Sequence, residues 1–384
     1  MTTLSMDLTG AQVLTPTDGL QPVPLSLADG VITDAPVGRA VDLSGFVILP
    51  GIVDLHGDAF ERHVAPRRGA MKQMHEGILA AEAEIAANGI TTAVMAQFWS
   101  WEGGVRGPEF AGQVLQAIAD MAGQAVTDLR GQLRFETHLI EDYARLPDLL
   151  AAWRVPYLVF NDHLPHDRLA QGRKPPRLTG QALKAQRNPE VHFQMLLDLH
   201  ARGPQVPVAL DALCAQLLAQ GVRLGSHDDH TAQDRAIWRG RGVQIAEFPE
   251  TLEAAEAARA GGDAVILGAP NVVRGGSHKG NVSALDLVAM GLCDALASDY
   301  HYPSLRRAAL MIEQSGLADL AGAWGLVSSG PARILGLRDR GQLAPGQRAD
   351  LVVLDQATRR VAATLSAGRV SYMSGEVAAR LLAA

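Results

Sequence analysis

A chain of 384 residues, 47% hydrophobic and 20% charged, can hold one large domain plus a small one and needs no covalent staples. Its net charge of −7, from 34 basic and 41 acidic residues, argues against a general nucleic-acid surface, so a polyanionic ligand would need a local cluster of cations. Two cysteines, Cys214 and Cys293, are too few for a disulfide framework or a cysteine zinc cluster and read as buried thiols. No apolar run reaches the ~18 residues of a membrane span, and Met1 to Gly19 lacks a basic start followed by an apolar core, so a cytoplasmic, membrane-free protein is expected.

Residues 1–47 carry short alternating apolar segments such as Ala11–Leu14 and Val31–Thr33, separated by Gly and Pro, which predicts a small β module. From Ile48 apolar strands alternate with amphipathic helices, including Glu76–Ala87, closed by Asn88-Gly89, and Leu252–Ala260, closed by Gly261-Gly262. Eight strand candidates follow: the segment ending at His56, then Thr91–Ala96, Gln132–Thr137, Tyr157–Asn161, Val222–Ser226, Val243–Ala246, Ala264–Leu267 and Asp294–Ser298. Eight βα units over this length predict an α/β fold, a TIM-type (β/α)₈ barrel spanning 48–337, in which chemistry sits at the C-terminal strand ends. An open doubly wound sheet shares the same alternation, because periodicity does not reveal strand order. Past Leu337 the strand signals resume and continue to Glu376, so 338–384 is expected to pair with 1–47 in one small β-sandwich.

The strand ends carry the chemistry. The first reads Val47-Ile-Leu-Pro-Gly51-Ile-Val-Asp54-Leu-His56-Gly-Asp58, and since residues i and i+2 share a strand face, His56 and Asp58 can reach one metal ion. Glu136 and His138 stand at the third, Asp162 and His163 at the fourth, His227-Asp228-Asp229-His230 at the fifth, Glu247 at the sixth and Asp299 at the eighth. In a barrel these converge on one mouth, with the composition of a carboxylate-bridged site for one or two divalent ions. Glu247 has a second reading, as the carboxylate that orients a metal-bound histidine. One of Asp228 and Asp229 is expected to cap the helix beginning near Thr231. The ion is left open: zinc is favoured, and manganese, iron and magnesium suit the same donors.

The run Leu49–His56, the Asp at the eighth strand and the tail Gly346–Val353 resemble the amidohydrolase superfamily along the whole chain. Ser226–Asp229, Ile245–Pro249, Gly268–Asn281 and Ala297–Tyr300 resemble one branch of it, the α-D-ribose 1-methylphosphonate 5-triphosphate diphosphatases of the carbon–phosphorus lyase pathway. The resemblance implies hydrolysis of a small ribose triphosphate to its 5-phosphate and pyrophosphate. It implies metal ligation by His56, Asp58, Glu136, His163, His227 and Asp299, with Asp299 as general base and His227 beside it. His56-Gly-Asp58 departs from the His-x-His usual in the superfamily and matches the branch. No Lys lies at a strand end, which leaves Glu136 as the available bridging carboxylate.

Triphosphate hydrolysis needs cations that stabilise the departing pyrophosphate. Arg67-Arg68 after the first strand, and Arg274, His278 and Lys279 after the seventh, are the candidates. The long connection after His163 holds Arg168, Arg173, Lys174, Arg177, Lys184 and Arg187 between 161 and 187, and reads equally as a basic lid or a solvated insertion. A C–N amidohydrolase or deaminase is the rival activity, and a non-catalytic barrel the rival class. Homo-oligomerisation is left open.

Overall fold

The computed structural model describes residues 3–67, 73–275 and 282–383. Eight parallel strands form one sheet in sequential order: β1 (Ile52–Gly57), β2 (Ile90–Trp99), β3 (Asp128–Glu136), β4 (Tyr157–Asn161), β5 (Arg223–His227), β6 (Ile245–Glu247), β7 (Ala264–Gly268) and β8 (Ala295–Ala297). The sheet curls back on itself through a parallel bridge between Gly57 and Asp299, where Asp58 N–H donates to Asp299 O at 2.9 Å and Asp299 N–H donates to His56 O at 2.9 Å. The result is a nearly closed TIM-type barrel. All eight expected strand segments are present, and their order removes the open doubly wound alternative.

Two apolar layers build the barrel. Outward residues of the strands, such as Leu133 and Phe135, pack with the surrounding helices in one large cluster. Inward residues, including Val53, Tyr157, Val159 and Ile266, form a separate plug at the lower end, closed by Ile334 and Leu335 of the helix Ser329–Leu335. Above that plug the inward positions turn polar, and this change places the site at the strands' C-terminal ends. The helix Met74–Ala87 ends at Asn88 with Gly89 in left-handed backbone (φ 84°), as its C-terminal signal requires. Thr251 caps Leu252–Ala260 by accepting from Ala254 N–H at 3.1 Å.

Both chain ends contribute to two further sheets. One has four strands, Val31–Thr33, Leu25–Ala28, Met6–Thr9 and Ala40–Asp42. The other has six: Arg369–Met373, Val361–Ser366, Leu351–Asp355, Phe46–Pro50, Gln12–Thr15 and Gly19–Gln21. Phe46–Pro50 pairs antiparallel with Leu351–Asp355 and so joins the N-terminal to the C-terminal strands across the expected 47/48 junction. Gly51 turns the chain from this sheet into β1 so closely that a Cβ there would lie 2.3 Å from Thr91 Oγ1. The strands do not run on to Glu376: Gly375–Ala383 is a helix, because Val377 and Leu381 recur at helical spacing and are buried against the terminal strands.

The connection after β4 is also more ordered than its polarity suggests. Helices His166–Ala170, Leu178–Lys184 and Pro189–Ala201 bury Leu164, Leu169, Leu178, Leu196 and Leu199 around Trp101. Sparse leucines in a basic segment are enough once several short helices share them.

Candidate active site

Alternation along β3 points Gln132, Arg134 and Glu136 into the barrel mouth while Leu133 and Phe135 face the helices. Glu136 is buried at the strand end. It accepts from Trp101 Nε1–H at 3.2 Å and from the His163 backbone N–H at 3.1 Å, and its other oxygen pairs with His163 Nδ1. Opposite stands Glu247, fully buried at the end of β6, with Oε2 2.9 Å from both His56 Nδ1 and His227 Nδ1. Its other oxygen accepts from Gln132 Nε2–H at 3.1 Å and from the Tyr157 hydroxyl at 3.2 Å. The imidazoles of His56 and His227 lie nearly parallel with centroids 5.7 Å apart, and the Phe248 ring is tilted steeply to both, its centroid 5.2 Å from each.

The backbone at the mouth is unusual. Asp228, Phe248 and Asp299, each one or two residues beyond a barrel strand, adopt left-handed φ of 58°, 56° and 55°. Aspartate tolerates this conformation, but a phenylalanine there costs on the order of 1–2 kcal/mol, and such strain concentrates at functional sites. On β1 an extra residue sits between Asp54 and Gly57 relative to β2, a bulge that re-aims the strand end. Asp54 anchors the bulge, accepting from Ser298 N–H at 3.0 Å and from the Ser298 hydroxyl at 2.5 Å. Gly57 must be glycine: a Cβ would approach Tyr302 to 2.7 Å and both Asp54 and Ser298 to 2.8 Å.

Charge is concentrated here. Burial works against ionising Glu247, yet His56 and His227 beside it outweigh this and hold its carboxyl well below the usual range. Burial opposes the His56 imidazolium, but Glu247 carries the ring above its ordinary value. His227 moves the other way, through burial and then the Arg134 guanidinium, whose Nη2 lies 2.7 Å from its Nε2. Asp299 is raised from 3.8 to about 6, first by burial and further by the negative charges of Asp58 and Glu247. Glu61, on the next turn after Asp58, is raised from 4.5 to about 7, by burial first and then by Asp58.

The expected residues are therefore brought together unequally. His56, Asp58 and Asp299 form a donor group within 4.8 Å, and His56, His227 and Glu247 form a second that shares His56. Glu136 and His163 bond each other, with the His163 ring 6.5 Å from that of His227. His138 and Asp162 turn instead toward His166, and His230 points outward next to Glu250. Neither Asp228 nor Asp229 supplies the cap expected after β5: Thr231 is itself the cap, in a reciprocal box with Asp234. Asp229 is committed to the buried Arg235, because an interior guanidinium requires a counter-charge. Cys214 is buried on its helix and its thiol is pushed up to about 12 by burial, while Cys293 is only partly buried.

Among the cations, Arg274 stands with Arg134, His227, Gly268, Asn271 and Asp299 around one cleft. Arg67 is exposed at the edge of the described residues. Arg68, His278 and Lys279 lie outside them. Arg134 is the residue sequence reasoning missed. It is 5% exposed, stacks 3.9 Å over Phe98 and lies 3.8 Å from Asp58. Its signal was available as the alternation of Asp128, Arg130, Gln132, Arg134 and Glu136 with Leu129, Gly131, Leu133 and Phe135.

The site's chemistry fits a divalent cation. Both ring nitrogens of the fully buried His56 lack a hydrogen bond of acceptable angle, even though Glu247 is close. Buried imidazole nitrogens without such a bond, beside two carboxylates, are the donors a cation takes.

Comparison with known proteins agrees with this geometry. A family model described as the amidohydrolase family matches residues 62–377. The chain is 36% identical, over 325 residues, to the alpha-D-ribose 1-methylphosphonate 5-triphosphate diphosphatase of Escherichia coli (strain K12), an alignment covering 82% of this chain and 85% of that one. An amidohydrolase crystal structure superposes with a TM-score of 0.66 at 12% identity, covering 97% of this chain and 100% of the other. The N-acyl-D-glutamate deacylase of Bordetella bronchiseptica, complexed with zinc and a phosphonate inhibitor, superposes with a TM-score of 0.62 at 16% identity and 97% coverage of both chains. With the barrel, the donor-lined mouth and these matches in agreement, the chain belongs to the amidohydrolase family.

Proposed function

We propose that this enzyme hydrolyses α-D-ribose 1-methylphosphonate 5-triphosphate to the 5-phosphate and pyrophosphate. Its 36% identity over most of the chain to a diphosphatase of that name supports the substrate. The observation in the structure that carries the reading is one cleft in which two guanidinium groups, Arg134 and Arg274, stand beside the histidine–carboxylate donors. A site for neutral amides or ring nitrogens has no use for two cations there, whereas a triphosphate does.

His56, Asp58, Glu136, His163, His227 and Asp299 would hold the metal, one or two divalent ions with zinc favoured and manganese, iron or magnesium also suited. When bound, such an ion supplies Lewis acidity and lowers the pKa of water from 15.7 towards about 7. Glu247 orients the rings of His56 and His227. Asp299, raised to about 6, takes the proton of the attacking water more readily than an ordinary aspartate would. Water oxygen bonds to the α-phosphorus as the bond from that phosphorus to its bridging oxygen breaks, and pyrophosphate leaves with the electron pair. Arg134 and Arg274 take up the growing negative charge, with Arg67, His278 and Lys279 as further phosphate contacts.

The same reading divides the chain into a catalytic barrel, 48–337, and a small β-sandwich built from 1–47 and 338–384. The apolar cluster shared by Leu8, Leu27, Leu43, Leu351 and Val353 supports that division. It also makes the enzyme a cytoplasmic one that binds a small molecule and neither nucleic acid nor membrane. No helix among the described residues is long and apolar enough to cross a membrane.

The test is an assay of purified, metal-loaded enzyme with the ribose triphosphate and, in parallel, with cyclic amides and aminated purines. Release of stoichiometric pyrophosphate from the first and no turnover of the others is expected. Turnover of an amide or amine without pyrophosphate release overturns the proposal.

A further inference from the structure

Outside the catalytic mouth a second group of metal-type donors comes together where the insertion after β4 meets the barrel. His138 follows β3, Asp162 follows β4, and His166 opens the first helix of the insertion. One donor atom of each lies within 4.8 Å of the others. His138 Nδ1 is 3.5 Å from Asp162 Oδ1, and His166 Nε2 is 3.1 Å from the same oxygen and 3.0 Å from Oδ2. The rings of His138 and His166 are 4.9 Å apart. A fourth residue, His200 near the end of Pro189–Ala201, places its Nδ1 2.8 Å from His166 Nδ1.

We infer that His138, Asp162 and His166 form a second divalent transition-metal site, of the zinc class, that clamps the insertion onto the barrel. Two imidazoles and a carboxylate leave a fourth position for water, a donor set that suits zinc or cobalt and is poor for calcium or magnesium. His200 completes the arrangement: with an ion bound, its Nδ1, 2.8 Å from His166 Nδ1, would accept from His166 Nδ1–H and leave the Nε2 lone pair facing Asp162. Metal-bound histidines are oriented in this way by a partner on the other ring nitrogen.

The clamp answers a structural need. The insertion joins the barrel through a small cluster, Leu164, Leu169, Leu178, Leu196 and Leu199 around Trp101, and carries exposed cations at Arg168, Arg173 and Arg177. An ion bridging the strand ends to the first of its helices, with His200 of the third bonded to His166, would hold those cations at the rim. A chain of hydrogen bonds from His200 through His166 to Asp162 satisfies the same distances without an ion, and the experiment separates the two.

The full-length protein is stripped with chelator and reloaded with cobalt(II), which is counted by elemental analysis and read by its visible absorption. His166→Gln is expected to bind one equivalent fewer than wild type. His166→Cys is expected to recover that equivalent and show a cobalt–thiolate charge-transfer band that wild type lacks. Proteolysis within 166–205 should speed up on chelation of the wild-type protein and be insensitive to metal in His166→Gln. Both variants replace a partly exposed side chain, so circular dichroism is expected to match wild type. A full complement in His166→Gln, or no thiolate band in His166→Cys, overturns the proposal.

Discussion

Replacing Glu247 by glutamine isolates the residue whose two readings, ligand or orienting group, the chain left open. The side chain is fully buried and its two oxygens meet four groups: both histidine rings at 2.9 Å, the Gln132 amide at 3.1 Å and the Tyr157 hydroxyl at 3.2 Å. Glutamine keeps the shape, removes the charge that sets both rings, and turns N–H groups toward partners that themselves donate. Loss of such an orienting carboxylate weakens metal binding by roughly 10–100-fold, or about 1.4–2.7 kcal/mol. Titrating chelated enzyme with zinc should show that rise in Kd, with kcat/KM for pyrophosphate release falling at limiting zinc and recovering substantially at saturation. Affinity within about twofold of wild type would refute the orienting role. A loss of one whole equivalent of zinc that saturation does not restore would make Glu247 a ligand instead.

Arg134→Met removes a nearly buried cation from the cleft, and a charge-assisted contact worth about 1.5–3 kcal/mol predicts a fall in kcat/KM of roughly 10–150-fold, with partial rescue by Arg134→Lys. Steady-state kinetics with and without the triphosphate's terminal phosphate would check it. For metal-free protein, Glu61 has a folded pKa of about 7 against 4.5 unfolded, so its burial costs stability as pH rises through that window and costs nothing below it. Glu61→Gln should therefore raise Tm at pH 8 and leave it unchanged at pH 4, and equal shifts at both values would contradict the reading. Arg235→Ala strands Asp229, bonded at 2.8 Å, and leaves Asp263 with Arg239 as its cation, so it should lower unfolding free energy by about 3–5 kcal/mol in urea. Reversing the basic insertion, with Arg168, Arg173 and Arg177 each changed to Glu, should raise KM more than it lowers kcat if those exposed side chains meet the triphosphate. Unchanged KM would leave them as solvated surface.

Much of the architecture was legible because barrel strands buried on both faces read as apolar runs and amphipathic helices read by their period. The eight strands, the two helices with Gly-containing stops and the strand-end positions of His56, Glu136, His163, His227, Glu247 and Asp299 could all be placed from residue order. The segments that escaped were those whose local pattern is weak. The insertion's helices depend on a few leucines shared between distant turns, and Gly375–Ala383 follows directly on a strand, with Val377 and Leu381 too short a helical run to stand out from the strand signals before it.

By itself the sequence determined which chemistry is available: histidines and carboxylates at strand ends, cations on the following loops, and a repeat count that suits a barrel. Tertiary structure decided which of these groups meet, since closure at Gly57 and Asp299 is a contact between residues more than two hundred positions apart. It made Glu247 a shared partner of two rings, sent His138 and Asp162 to a different cluster, and brought Arg134 among the ligand-type donors. Side-chain direction at the mouth is set by a bulge on β1 and left-handed residues after β5, β6 and β8, and those depend on neighbouring strands rather than on local order.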